Sequence, residues 1–137
     1  MDLLGFDDSP RKGKIVVVTG GRDFKDVAFI ENCLEDFHEA NHIIALFHGA
    51  ATGVDTICCS WAWKNGIAMF ECKANWKKYP KAAGPIRNHW MKDFSGASHL
   101  LAFPGKKGTA HMIEACRKHG MVIVEYDPAY QGGLKCN

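Results

Sequence analysis

The sequence predicts an α/β domain built on a doubly wound, mainly parallel five-stranded sheet with helices on both faces. Three observations carry this. Short apolar, β-branched runs alternate with stretches at helical spacing, in the order β-α-β-α-β-α-β-α-β. The runs are apolar throughout, as strands buried on both faces are. The connections between segments are short, which suits crossover units. The expected strand order is 3-2-1-4-5.

Each element has its own justification. KIVVVTG (14–20) is a continuous apolar run closed by glycine, the first strand. Val27, Ile30, Cys33, Leu34 and Phe37 then fall at helical spacing, with Glu31, Glu35, Asp36 and Glu39 on the other face and Asp26 placed to cap the start. HIIALFHG (42–49) is a second strand. Residues 51–66 form a helix stopped at Asn65-Gly66, a left-handed terminator. IAMFEC (67–72) is a third, shorter strand, followed by the loop NWKKYPKAAG. PIRNHWMKDF (85–94) sets a proline in the first turn of a third helix. SHLLAFPG (98–105) contains the fourth strand. TAHMIEACRKHG (109–120) is the fourth helix, ended by Gly120, and MVIVEY (121–126) is the fifth strand. One domain over residues 13–128 is expected, with flexible tails over 1–12 and 129–137.

Composition bounds the function. Of 137 residues, 47% are apolar and 23% charged, the balance of a globular protein. No basic segment followed by a long apolar stretch opens the chain, and no run approaches the ~18 apolar residues of a membrane span. A cytoplasmic protein without a signal peptide is expected. The six cysteines lie mostly in apolar runs and form no C-x-x-C, so buried reduced thiols are expected rather than disulfides. Neither they nor the seven histidines show zinc-type spacing, so no metal is expected. The net charge of +2 is unevenly spread: residues 73–107 hold eight basic side chains against Asp93 alone, +7, leaving −5 elsewhere. One end of the fold is therefore expected to face an anion.

In such a sheet ligands bind beyond the carboxyl ends of the strands. Four loops gather there. The first brings Gly20, Gly21 and Arg22, which fit either a tight turn or a ligand's close approach. The second brings His48, Gly49, Gly53 and Asp55, the aspartate suiting a helix N-cap, a ribose-hydroxyl acceptor or an orienter of the loop. The third leads to Arg87 and Asn88, and Arg87 offers a planar fork for phosphate or carboxylate from a position near the surface. Trp76 and Tyr79 either stack on a base or pin the loop. The fourth, Pro104, Gly105, Lys106, Lys107, Gly108 and Thr109, opens a helix whose N–H groups and dipole favour an anion, Thr109 adding a hydroxyl or capping the helix. There is no G-x-G-x-x-G and no G-x-x-x-x-G-K-[ST], so neither an ordinary NAD site nor a P-loop is expected, and no cofactor is assigned.

VVVTGGRDF, HGAATGVDTICCSWA, AAGPIRNHWM and LLAFPGKKGTAHMIEACRKHGMVIVE, in this order, resemble the YspA/YpsA-related branch of the SLOG superfamily, which joins DprA/Smf DNA-processing proteins with the LOG phosphoribohydrolases. The resemblance covers about residues 14–126. It implies a Rossmann-like fold that binds a nucleotide or nucleotide-derived ligand, of the AMP, ADP-ribose or cyclic-nucleotide type, at the loop ends. Related domains serve as enzymes, as sensors of nucleotide signals, and as DNA binders.

The LOG hydrolases resemble P-G-G-x-G-T-x-x-E, in which the glutamate works with an arginine of the preceding helix. Arg87 matches that arginine, but Met112 stands at the glutamate's position. Glu114 is two residues on, roughly 200° round a helix. The expectation is a binding protein for sensing or sequestration, without efficient turnover. One alternative is a nucleoside 5′-monophosphate phosphoribohydrolase using Arg87 with Glu114, Glu125 or Asp55. A second is DprA-like binding of single-stranded DNA, favoured by the basic 73–107 segment and opposed by the low net charge. A homo-oligomer, dimer or tetramer, is expected as well.

Overall fold

The structure, a computed structural model, describes residues 12–130. The strands are β1 (Lys14–Thr19), β2 (Ile43–His48), β3 (Ala68–Glu71), β4 (His99–Ala102) and β5 (Val122–Glu125). The helices are α1 (Val27–Asn41), α2 (Val54–Lys64), α3 (Ala83–Phe94) and α4 (Lys107–Lys118). The strands form one sheet in the order β3-β2-β1-β4-β5, and every neighbouring pair is parallel. The flexible tails expected at 1–12 and 129–137 lie almost wholly outside the described residues.

The period-2 geometry of the strands divides the core in two. Val16, Val18, Leu46 and Leu101 face Ile30, Leu34, Cys58 and Trp61 of α1 and α2. Val17, Leu100 and Ala102 face the opposite layer, meeting Met91 of α3 and Met112 and Cys116 of α4. Both faces of the central strands are thus covered, which is why they read as unbroken apolar runs. Trp61 also ties α2 to α1, its indole N–H donating to Glu35 at 2.7 Å.

Helix starts follow local chemistry. The Asp26 carboxylate accepts from Phe29 N at 3.1 Å and caps α1. α2 begins at Val54 rather than residue 51 because Gly53 takes φ 74°, ψ −123°, a conformation outside the helix. α4 begins at Lys107, two residues before the expected start, because Lys106 is the extended residue (φ −114°, ψ −139°) at its N-cap. Gly66 and Gly120 hold positive φ just past α2 and α4, as their placement predicts. Cys33, Cys58 and Cys116 are buried core thiols, and burial pushes Cys33 and Cys116 up to about 11, which makes them poor nucleophiles. Cys136 lies outside the described residues.

The chain runs outward from β1 through β2 to β3, then crosses back to lay β4 on the other side of β1. The connections leaving β1 and β4 diverge to opposite faces. The crevice between them is the topological switch point, where this class of sheet leaves room for a ligand.

Candidate functional site

At that switch point the structure has a cleft of about 820 Å³. Its floor is built from backbone. Gly21 N donates to Pro104 O at 2.8 Å, tying the β1 loop to the β4 loop. A Cβ on Gly21 would stand 3.0 Å from Pro104 O and 3.1 Å from Gly105 Cα, so the two loops touch main chain to main chain. On the other side, Val54 N donates to Gly21 O at 3.3 Å, seating the start of α2 under the same loop.

Most of the sequence-derived residues converge here. Gly20, Gly21, Arg22, Gly49, Asp55, Arg87, Asn88 and the whole Pro104–Thr109 stretch line the cleft. His48 and Gly53 do not. His48 is buried at the end of β2, where its Nδ1 accepts from Ala50 N at 3.1 Å and burial lowers its proton affinity. Gly53 lies behind the β1 loop, against Gly21 O and Arg22 O.

Asp55 is not the N-cap of α2, a place taken by Gly53. From the first turn its carboxylate reaches back to the loop, and Oδ2 accepts from both Gly49 N (3.1 Å) and Ala51 N (3.2 Å). Burial raises its pKa, opposed by the Ala51 N–H, His48, Arg87 and the Gly49 N–H. Of the readings open from sequence, the loop orienter is the one these bonds describe. Because one oxygen takes both bonds, Asp55→Asn is expected to stay close to wild-type stability. Asp55→Ala strands two amides and is expected to cost about 1–3 kcal/mol. Urea denaturation of the two variants separates these outcomes, and equal losses would show that the carboxylate charge, not its acceptor oxygen, holds the loop.

Arg87 sits deeper than its sequence position implied. It is half-buried, with Nη1 donating to the carbonyls of Gly49 and Cys72 and Nε donating to Asn88 Oδ1 at 2.9 Å. The side chain staples the ends of β2 and β3 together beneath the cleft, so the expectation of a position near the surface is corrected. Desolvation lowers its pKa, opposed chiefly by the Asp55 carboxylate. Asn88 is itself buried and carries the link onward, its amide donating toward Gly108 O (3.5 Å) and lying 3.3 Å from His111 Nδ1.

The start of α4 faces the cleft with no side-chain cap, which leaves its first-turn N–H groups open. Thr109 lies inside that first turn, so it is not the cap. It is 7% exposed and lines the cleft, with its hydroxyl beside Gly105. Lys106 and Lys107 stand exposed at the rim, Lys106 with Asp23 at 3.7 Å. Trp76 forms a side wall and rests on Gly84 at the start of α3, where a Cβ would come within 3.3 Å of its ring. Tyr79 faces a separate groove.

Sequence reasoning missed His111, which also lines the cleft; burial lowers its proton affinity, as do His89 and Lys92. Its signal was the four-residue spacing from Lys107, which puts both on one face of α4. Starting the helix at Thr109 hid that phase. Among the described residues, no group of three or more His, Cys, Asp or Glu is placed to hold a metal.

Comparisons with known proteins place the chain in a family. A family model described as YspA, cpYpsA-related SLOG family matches residues 14–79. The Gene 61 protein of Mycobacterium phage D29 is 33% identical over 119 residues, which span 81% of this chain and 94% of that protein. This chain belongs to the YspA, cpYpsA-related SLOG family. In structure, this SLOG domain is similar to DNA processing protein A (DprA) from Streptococcus pneumoniae, with a TM-score of 0.69 over 89% of the chain. At 17% identity that likeness concerns the fold, and the chain spans about half the length (53%) of the DprA chain.

Met112 is fully buried in the core beneath α4. Glu114 lies on the outer face of α4, paired with Arg117 and Lys118, and Glu125 meets Arg117 at the end of β5. Neither glutamate lines the cleft, so Glu114 is corrected as a partner for Arg87. The carboxylates that do line it are Asp23, exposed at the rim, and Asp55, bound to its loop.

Proposed function

We propose that this SLOG domain binds a nucleotide-derived small molecule in the switch-point cleft and holds it without efficient turnover, as a cytoplasmic sensor or sequestering protein. The observation that carries the reading is the start of α4: an uncapped first turn, the Thr109 side chain lining the cleft, and two lysines at the rim. A helix start so arranged suits a phosphate, whose oxygens accept from N–H groups that have no other partner. Arg87, held flat by its carbonyl bonds, would add a preorganised positive charge under the ligand. Asp55 would hold the β2 loop in shape for the sugar. Cleavage of a glycosidic bond demands more, namely a carboxylate aimed at the charge that develops on the sugar. With Met112 in the core, Glu114 and Glu125 outside the cleft and Asp55 bound to its loop, the carboxylate left in the cleft is Asp23, exposed at the rim beside Lys106.

The test is a panel of AMP, ADP-ribose, cyclic ADP-ribose isomers and cyclic dinucleotides. At least one is expected to raise the melting temperature, adding about 2.7 kcal/mol of stability at 100 times its dissociation constant. Chromatography after long incubation is expected to recover that molecule intact. Release of free base, abolished by Arg87→Ala, would replace this reading with the phosphoribohydrolase one. Tight binding of a long single strand of DNA, with affinity falling steeply in salt at a slope of about −0.7 per phosphate contacted, would replace it with the nucleic-acid one.

A further inference from the structure

Outside the cleft, α3 presents an apolar face that no other described residue covers. Ile86, Trp90 and Phe94 are 45%, 49% and 69% exposed, and their four-residue spacing sets them in one stripe. The other side of the helix (Ala83, Asn88, Met91) is already buried against the body. The Trp90 and Phe94 rings lie 5.5 Å apart, forming a continuous ridge. Beside the start of the helix is a groove of about 310 Å³, walled by Cys72, Tyr79, Ala83, Ile86, Arg87 and Trp90. Phe70 of the edge strand adds to the same layer, 48% exposed and stacked on Phe47 at 4.6 Å.

We propose that this face is a twofold interface with a second copy of the chain, in which the Phe94 ring of each copy enters the groove beside Arg87 of the other. The argument is the symmetry of the stripe. Ile86 and Phe94 lie four residues either side of Trp90, about 6 Å along the axis in each direction. A twofold axis at Trp90 packs the two α3 helices antiparallel and brings the partner's Phe94 against Ile86, at the mouth of the groove. The most exposed ring of one copy thus meets the hollow of the other. An isologous interface requires this self-complementarity, and an unrelated partner would not.

Area and charge agree with it. Ile86, Trp90, Phe94 and Phe70 together offer about 450 Å² of exposed side chain per copy, more than half of the ~800 Å² that each partner gives a standard interface. Patches beyond a few hundred Å² are themselves uncommon on monomers. Two charged neighbours are paired within the chain, Lys92 with Asp93 at 3.2 Å and Lys73 with Glu71 at 3.7 Å, which limits their repulsion across two identical faces. The consequence reaches the cleft: the partner's Phe94 packs behind the guanidinium that joins the β2 and β3 ends, stiffening Arg87 from the side away from the ligand. That consequence rests on the ligand reading, whereas the dimer does not.

Sedimentation of the full chain at micromolar concentration tests the interface. Wild type is expected to run as a dimer, and Trp90→Glu and Phe94→Asp as monomers with unchanged circular dichroism. Trp90→Cys, at the axis, is expected to form a disulfide-linked dimer under mild oxidation that wild type does not form. A monomeric wild type, or a dimer that survives both charge substitutions, would overturn the proposal. Nucleotide affinity of Phe94→Asp, measured with whichever panel member stabilises wild type, is expected to fall several-fold. Unchanged affinity in that monomer would overturn the coupling to Arg87. A wild-type dimer that binds no member of the panel would count against the ligand reading alone.

Discussion

Gly53→Ala is expected to cost at least about 3 kcal/mol of stability, from two separate sources. At φ 74°, ψ −123° the residue occupies a region that side chains rarely enter. The added Cβ would also stand 2.5 Å from both Gly21 O and Arg22 O, and main-chain atoms cannot swing aside. Relief requires the β1 loop to move off the start of α2, which breaks the Val54 N to Gly21 O bond and opens the floor of the cleft. Gly66→Ala is the control. It too has positive φ (65°), but nothing lies within 4 Å of its Cβ position, so it carries strain alone, about 1–2 kcal/mol. Thermal melts should show a drop of roughly 10 °C or more for Gly53→Ala. A loss no larger than that of Gly66→Ala would show that the loop contact is not tight.

Arg87→Ala is expected to act on both binding and stability. Affinity for the stabilising ligand should fall by about 2–4 kcal/mol, the range for removing one member of a buried, charge-assisted contact. Stability should fall as well, by about 1–3 kcal/mol, because the carbonyls of Gly49 and Cys72 lose a donor in a partly buried place. Arg87→Lys keeps the charge but not the planar fork that reaches Gly49, Cys72 and Asn88 at once, so it should recover part of the affinity and little of the stability. Calorimetry and urea denaturation read the two effects separately. Unchanged affinity in a folded Arg87→Ala protein would remove the residue from the ligand site, and unchanged stability would remove it as a staple between β2 and β3.

The pattern of residues alone determined the α/β class, the nine elements in order and the loops that form the cleft. The reason is that these features are local or periodic. A strand covered on both faces is apolar along its length, as in residues 15–18 and 43–47, and Gly66 and Gly120 mark helix ends because few other residues accept positive φ. The strand order 3-2-1-4-5 was expected as well, and it sets the switch point between β1 and β4.

What individual side chains do there was decided by tertiary structure. Asp55 looks like a helix cap in sequence and is instead the acceptor for two loop amides. Arg87 looks like a surface arginine and bridges two strand ends, because Gly49 and Cys72, 38 and 15 residues away, present their carbonyls to it. His111 enters the cleft beside Asn88, a contact between α3 and α4. Gly53 is required by its positive φ and also by the β1 loop, distant in sequence, that passes against it. Such assignments depend on which atoms meet across the sheet, and that information belongs to pairs of residues far apart in the chain rather than to any one stretch of it.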